Sequence, residues 1–367
     1  MIRRTLLSLL ALVACARTKA PPRDASRDAP ARVDVVVARD ATAVRDAPLA
    51  PITLGFAGDV TLDEALSARR PLRDVEPWFQ GVSSAWVNLE SPVAERGVGV
   101  AAVKDFVFLA PPEAVGILRE AGVDGVSLAN NHALDHGVDG LVRTMALLDA
   151  GGVRYAGAGA DHDAAYRATR VEVEGRGVSV LGFYRMNCDY PWVALRTRAG
   201  IASAWRDREG DTVDAVTEAH RRGDLVVVMV HWGTELAPCP DRWQRALARR
   251  WIHAGASLVV GSHPHVLQGV ERVGDAWVLY STGNFAFAAA RDESAKTAFF
   301  EARFEGAASS LRARPARIVD GVPAPVRGRD AREILATLSR RSRGLRFDDE
   351  GLAVASTAPG ECVWAGL

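Results

Sequence analysis

The sequence predicts an α/β protein with mixed sheets. Helices separate the strand-like runs in the first half of the chain, whereas hairpins join them in the second. A third feature places chemistry on that frame. Apolar runs end repeatedly in carboxylates, asparagines or imidazoles, the oxygen and nitrogen donors that hard or borderline divalent ions take. In open α/β sheets such groups gather beyond the carboxyl ends of the strands.

Pro51 opens the folded part, and residues 52–57 form a first strand that delivers Gly58 and Asp59 at its end. Residues 86–89 form a second, ending at Glu90 and stopped by Ser91-Pro92. Residues 106–110 read as a third, followed by a helix that Pro111 and Pro112 open and that carries Val115, Ile117 and Leu118. Residues 124–128 give a strand leading into Asn130-Asn131-His132. Leu141, Met145 and Leu148, three or four residues apart, make the apolar stripe of a helix over about 138–150, which Gly151-Gly152 stops. A short strand follows at 153–155, and residues 171–173 and 178–183 form a hairpin around Gly175-Arg176-Gly177. The Trp205 region, 200–212, is an excursion over the cleft.

A helix over 213–222 leads to residues 224–230, whose unbroken apolarity predicts a strand buried on both faces, with His231 at its end. A helix over 243–254 precedes the strand 257–260, which runs into Gly261-Ser262-His263-Pro264-His265. Residues 266–273 and 277–280 pair around Gly274-Asp275, and 298–304 and 313–319 supply late strands. The main domain spans 51–320. Residues 321–367, with a helix at 329–340, form an extension packed on it.

The start of the chain has a different character. Arg3 and Arg4 precede an apolar run, 6–13, that is too short for a membrane span of roughly 20 residues and reads as an export signal. Leu12-Val13-Ala14-Cys15 resembles a bacterial lipobox. That resemblance implies a signal peptide over 1–15 and a lipidated Cys15, hence an extracytoplasmic protein attached to the cell membrane or outer membrane through the lipid bilayer. Residues 16–50 repeat Arg-Asp-Ala among prolines and alanines, without an aromatic residue, and make a disordered linker.

Lys+Arg and Asp+Glu are equal at 45 each, so the basic surplus expected of a nucleic-acid binder is absent. Cys188, Cys239 and Cys362 permit one disulfide in an oxidising compartment, with the pairing open. No Gly-x-Ser-x-Gly elbow or complete phosphate-binding loop competes with the metal-type groups.

Six motifs, in order over about 52–287, resemble the poly-γ-glutamate capsule biosynthesis protein A family. They are Gly58-Asp59, Asn88-Leu89-Glu90, Asn130-Asn131-His132 with Asp135, His231-Trp232-Gly233, Gly261 to His265, and Tyr280 to Phe285. The resemblance implies a metallophosphatase-like four-layer α/β/β/α sandwich with two mixed sheets. It also implies association with capsular polymer synthesis or export, alongside other capsule-synthesis membrane proteins. By the same resemblance Glu90, Asn131, His231 and His263 hold one divalent ion, and Asp59, Glu90 and His265 a second. Thr61 stands where the phosphoesterase pattern has a histidine, which leaves that second site short of an imidazole.

Mixed oxygen and nitrogen donors suit manganese, zinc or iron better than calcium. His132 resembles the histidine that contacts substrate and protonates a leaving oxygen. Asp135, three residues on, either orients that imidazole or caps the following helix. Arg185, Glu235, Asn284, His136 and Trp232 are candidate substrate contacts, Trp232 having core packing as its alternative. The substrate expected is an anionic polymer or phosphate ester. Two functions stay open: a metal-dependent hydrolase, and a binding protein that retains the metal scaffold without turnover.

Overall fold

The computed structural model describes residues 50–186, 192–306 and 308–362. The signal segment, Cys15, nearly all of the linker, and Cys188 lie outside the described residues. The described residues form one compact unit.

In chain order the strands are β1 (Ile52–Val60), β2 (Ser84–Leu89), β3 (Gly125–Ser127), β4 (Arg154–Ala156), β5 (Ala158–Gly159), β6 (Thr169–Val173), β7 (Arg176–Arg185), β8 (Gly200–Ile201) and β9 (Leu225–Trp232). There follow β10 (Ala256–Ser262), β11 (Val270–Val273), β12 (Ala276–Leu279), β13 (Asn284–Ala286), β14 (Lys296–Glu305), β15 (Ala308–Val319), β16 (Val322–Pro325), β17 (Leu345–Phe347) and β18 (Ala353–Ala355). The helices are α1 (Glu64–Ala68), α2 (Glu76–Gln80), α3 (Ala114–Ala121), α4 (Gly137–Gly151), α5 (His162–Tyr166), α6 (Glu209–Arg221), α7 (Arg242–His253) and α8 (Gly328–Arg341).

Two mixed sheets result. The eight-stranded sheet runs β16-β15-β14-β1-β2-β3-β4, with β13 also paired to β1, and the six-stranded sheet runs β11-β12-β10-β9-β7-β6. Strand alternation makes them face each other. On β9, Leu225, Val227 and Met229 join Leu54, Phe56, Trp86 and Phe300 in a core between the sheets. Val226, Val228 and Val230 turn the other way and pack with Val216, Leu247 and Trp251 of α6 and α7. Ala85, Val87 and Leu89 of β2 likewise turn outward onto Leu118, Leu141 and Leu148 of α3 and α4. The result is the expected four layers, helix, sheet, sheet, helix. Each fully buried Leu, Val or Phe contributes about 1.5–3 kcal/mol to holding them together.

Inside each sheet the strands that matter for chemistry are parallel. β1 pairs in parallel with β2 and β13, and β9 with both β7 and β10. Their carboxyl ends therefore emerge on one side.

The segment 106–110 departs from expectation. It is no strand, and only Ala110 forms a bridge, with Val93. Its Phe108 N–H is spent on the Asp135 carboxylate instead (2.7 Å), so the segment is a strap rather than a ladder member. The extension beyond residue 320 is also more integral than a covering layer. β16 pairs with β15, and Ile334, Leu335 and Leu338 of α8 sit in the core of the two sheets. Cys239 and Cys362, 123 residues apart, form a disulfide.

Candidate metal centre

The donor groups converge because each leaves the end of a neighbouring strand. Asp59 lies in register with Asn88 on β2 and Asn284 on β13. Ser262 on β10 lies beside His231 on β9. Two glycines permit the close backbone approach. A Cβ on Gly58 would stand 1.8 Å from the Gly283 carbonyl oxygen, and one on Gly261 would stand 2.1 Å from that of Tyr280.

Asp59, Glu90 and His231 are 0% exposed and His263 is 1% exposed. Glu90 Oε1 lies 3.4 Å from His231 Nε2 and 3.9 Å from His265 Nε2. Donor atoms of Glu90, His263 and His265 all lie within 4.8 Å of one another, close enough to share one ion. The His231 and His263 rings stand 4.8 Å apart, and those of His263 and His265 5.7 Å. The turn bearing this pair has left-handed backbone at both histidines, φ 93° at His263 and 58° at His265, a conformation L-residues keep only when their surroundings enforce it.

The electrostatics separate the imidazoles into two kinds. Burial pushes His231 well below its ordinary pKa, reinforced by His263 and His265. Burial, with His265, brings His263 down to about 3. Both rings are therefore neutral and offer a lone pair. His231 Nδ1 lies 3.1 Å from Ser262 Oγ; when Nδ1 donates there, Nε2 is left as the acceptor on the Glu90 side. His265 is the opposite case. Burial would lower it, but Glu90, then Asp59 and Asn284, outweigh burial and hold it up at about 10. Its Nδ1 lies 3.2 Å from Asp59 Oδ2 and 2.8 Å from Asn284 Oδ1. Glu90 is raised well above the usual carboxylate range, by burial first and by the charge of Asp59 second. A cation beside it would reverse that penalty.

Next to this cluster stands a second unit. His132 Nδ1 bonds Asp135 Oδ2 at 2.7 Å, so Asp135 orients the imidazole, and the helix cap falls to His136. Lys104 donates to the Asn131 carbonyl (2.8 Å) and forms an ion pair with Asp135. Phe108 covers the His132 ring at 4.3 Å. Burial lowers the His132 pKa, against the raising effect of Asp135.

Several expected contacts do not join the centre. Trp232 follows His231 on the strand and so faces the opposite side. It is fully buried against Trp251 and Tyr280, and its indole N–H donates to the Tyr280 carbonyl (2.9 Å). Arg185 is the register partner of Trp232 and shares that face. Its guanidinium donates to the Ala204 carbonyl (2.6 Å) and the Glu209 carboxylate (2.5 Å), between the rings of Trp205 and Trp243. Both corrections follow from the two-residue period of a strand. Glu235 is exposed on the loop after β9, yet its charge reaches Glu90 and adds to the rise of that carboxyl; His136 is half-buried at the start of α4. Asn284 is buried and acts through His265.

Three residues take roles that the sequence reading did not assign, although it named Asn88 and Asn130 within its motifs. Asn88 donates to Asp59 Oδ1 (2.8 Å) and lies 3.2 Å from His231 Nδ1. Asn130 donates to the Leu89 carbonyl (2.8 Å) and accepts from the His132 N–H (3.1 Å). An amide inside an otherwise apolar strand, as at Asn88, was the available signal. Lys104, distant in sequence from its partners, gave none.

Fold and site together define a four-layer α/β protein with a buried carboxylate and imidazole cluster of metal-ligand type. The chain belongs to the family of the bacterial capsule synthesis protein PGA_cap, whose model matches residues 53–289. It is 29% identical over 285 residues to the PGA biosynthesis protein CapA of Bacillus subtilis, covering 75% of this chain and 74% of that one. It is 31% identical over 259 residues to the capsule biosynthesis protein CapA of Bacillus anthracis, covering 69% and 62% respectively. Among solved structures, a phosphatase from Mycoplasma pneumoniae overlays 75% of this chain and 96% of its own, with 13% identity and a TM-score of 0.47. No helix among the described residues is long and apolar enough to cross a membrane.

Proposed function

We propose that this protein handles an anionic capsular polymer, of the poly-γ-glutamate kind that the names of its relatives suggest, at a divalent-metal centre formed by Glu90, Asn131, His231 and His263. The carrying observation is a set of buried acceptors. Glu90 Oε1 and Oε2, Asn131 Oδ1, His231 Nε2 and His263 Nδ1 make no hydrogen bond among the described residues. Each such atom costs about 1–3 kcal/mol when left unmatched, and one dication answers all of them. The donor chemistry suits manganese, zinc or iron. On the other side Asp59 and His265 are engaged with each other, His265 Nδ1 lying 3.2 Å from Asp59 Oδ2. One ion per chain is therefore expected, with the Asp59 side taking a second only if that pair opens.

The pair His132 and Asp135 favours catalysis over binding alone. Asp135 fixes Nδ1 and leaves Nε2 to move a proton at a substrate oxygen. A bound ion would supply Lewis acidity toward anionic oxygens and toward water. Lys104 adds positive charge at the same place. The export signal and Cys15 support an extracytoplasmic, lipid-anchored location on the linker, near other capsule-synthesis membrane proteins. Metal analysis of purified protein tests the centre. Wild type should carry about one ion per chain, and the His231→Ala/His263→Ala variant essentially none. Stoichiometric metal in the double variant would discard the ligand assignment.

A further inference from the structure

We propose that the Cys239–Cys362 disulfide is a positioning element of the metal centre, holding the His263-Pro264-His265 turn in its ligand-presenting conformation. The inference rests on the proposed metal centre. The turn cannot hold itself, since both histidines occupy left-handed backbone. Inside the site Asp59 accepts from the His263 N–H (3.3 Å) and Asn284 donates to the His265 carbonyl (3.3 Å); from outside, two further neighbours hold it. The first is the loop after β9, whose Leu236 N–H donates to the Pro264 carbonyl at 2.9 Å, between the two histidines. The same loop offers its Ala237 carbonyl to Gln268 Nε2 at 2.9 Å, just beyond the turn. Leu236 is itself left-handed, φ 57°, and 66% exposed, so packing contributes little to fixing it.

The second neighbour is the C-terminal extension. Arg341 donates to the Leu267 carbonyl at 2.7 Å, and a Cβ on Gly269 would stand 1.8 Å from the Arg341 carbonyl oxygen. Glu361, one residue before Cys362, is bonded to Arg340 through both its backbone N–H (2.6 Å) and its carboxylate (2.5 Å). The disulfide closes this ring of contacts. It ties the loop that holds Pro264 to the tail that, through Arg340 and Arg341, holds Leu267. Without the crosslink an exposed loop with few contacts would be free to drift, and the turn would lose the donor to Pro264 and relax toward ordinary backbone. His263 and His265 would then no longer point jointly at Glu90.

The test is manganese titration by calorimetry on wild type and on the Cys239→Ser/Cys362→Ser variant, because manganese has little affinity for thiols in any incompletely oxidised wild type. Amide hydrogen exchange over 262–269 is followed on both proteins without metal. The variant should bind manganese about tenfold more weakly, the scale seen when groups that orient ligands are lost, and exchange faster over the turn. Gln268→Leu, with the disulfide intact, removes one link of the same ring and should move both readouts in the same direction. It also serves if the double variant fails to fold. Unchanged affinity and exchange, with only a lower melting temperature, would reduce the disulfide to a general staple and overturn the proposal. Wild type that binds no manganese, zinc or iron would instead refute the metal centre; unchanged exchange in the variants overturns the positioning role independently of that.

Discussion

Replacing Glu90 by glutamine should stabilise the metal-free protein and cripple the metal-loaded one. Glu90 is 0% exposed, and neither of its carboxylate oxygens accepts a hydrogen bond. An amide at the same place loses the charge and places a donor close to His231 Nε2, which lies 3.4 Å from Oε1. Relief of one unmatched buried acceptor is worth about 2 kcal/mol. With an unfolding entropy near 0.65 kcal/mol/K for a domain of about 315 residues, the melting temperature rises by about 3 °C. The gain depends on pH. The folded-state pKa of Glu90 lies above its unfolded value, so its contribution is most favourable below about pH 4.5 and is lost as pH rises through the raised pKa. The Glu90→Gln variant lacks that slope, and its advantage should grow from pH 5 to pH 8, a span of about 3 units.

Metal inverts the order. Manganese at about a hundred times its dissociation constant adds about 2.7 kcal/mol to wild type. The variant loses a charged ligand and binds at least about a hundredfold more weakly, so it gains almost nothing. Differential scanning calorimetry with chelator and with manganese, at several pH values, reads both effects. If the metal-free variant melts below wild type throughout, or binds manganese as well as wild type does, the reasoning from the unmatched carboxylate is wrong.

His132→Ala should keep its metal and lose turnover of a model phosphodiester by roughly 10²–10⁴-fold; metal analysis and a chromogenic ester assay on the same preparation separate the two. Full activity in that variant would reduce His132 to a packing residue beside Phe108. Cys15→Ser should move the protein from the membrane to the soluble extracytoplasmic fraction after cell fractionation, and an unchanged membrane fraction would exclude the lipid anchor.

Much of this molecule is legible along the chain because strands and helices are short-range patterns. The unbroken apolar run ending at His231 states that β9 is covered on both faces, and the stripe of Leu141, Met145 and Leu148 states which side of α4 is inside. The chemical type of the groups at the strand ends, oxygen and imidazole donors without thiolate, is likewise a property of the sequence. The direction of each group was decided elsewhere. His231 faces Glu90 while the adjacent Trp232 faces Trp251, because strand pleat sends neighbours to opposite sides and only the stacking of two sheets decides which side is the cleft. Asp135 orients His132 instead of capping α4 because Lys104 and the strap residue Phe108 meet its carboxylate in space. Local patterns could not reveal that meeting, nor the pairing of Cys239 with Cys362 across 123 residues. Each joins segments that only the tertiary packing brings together, the disulfide through the extension whose α8 places Ile334, Leu335 and Leu338 in the core.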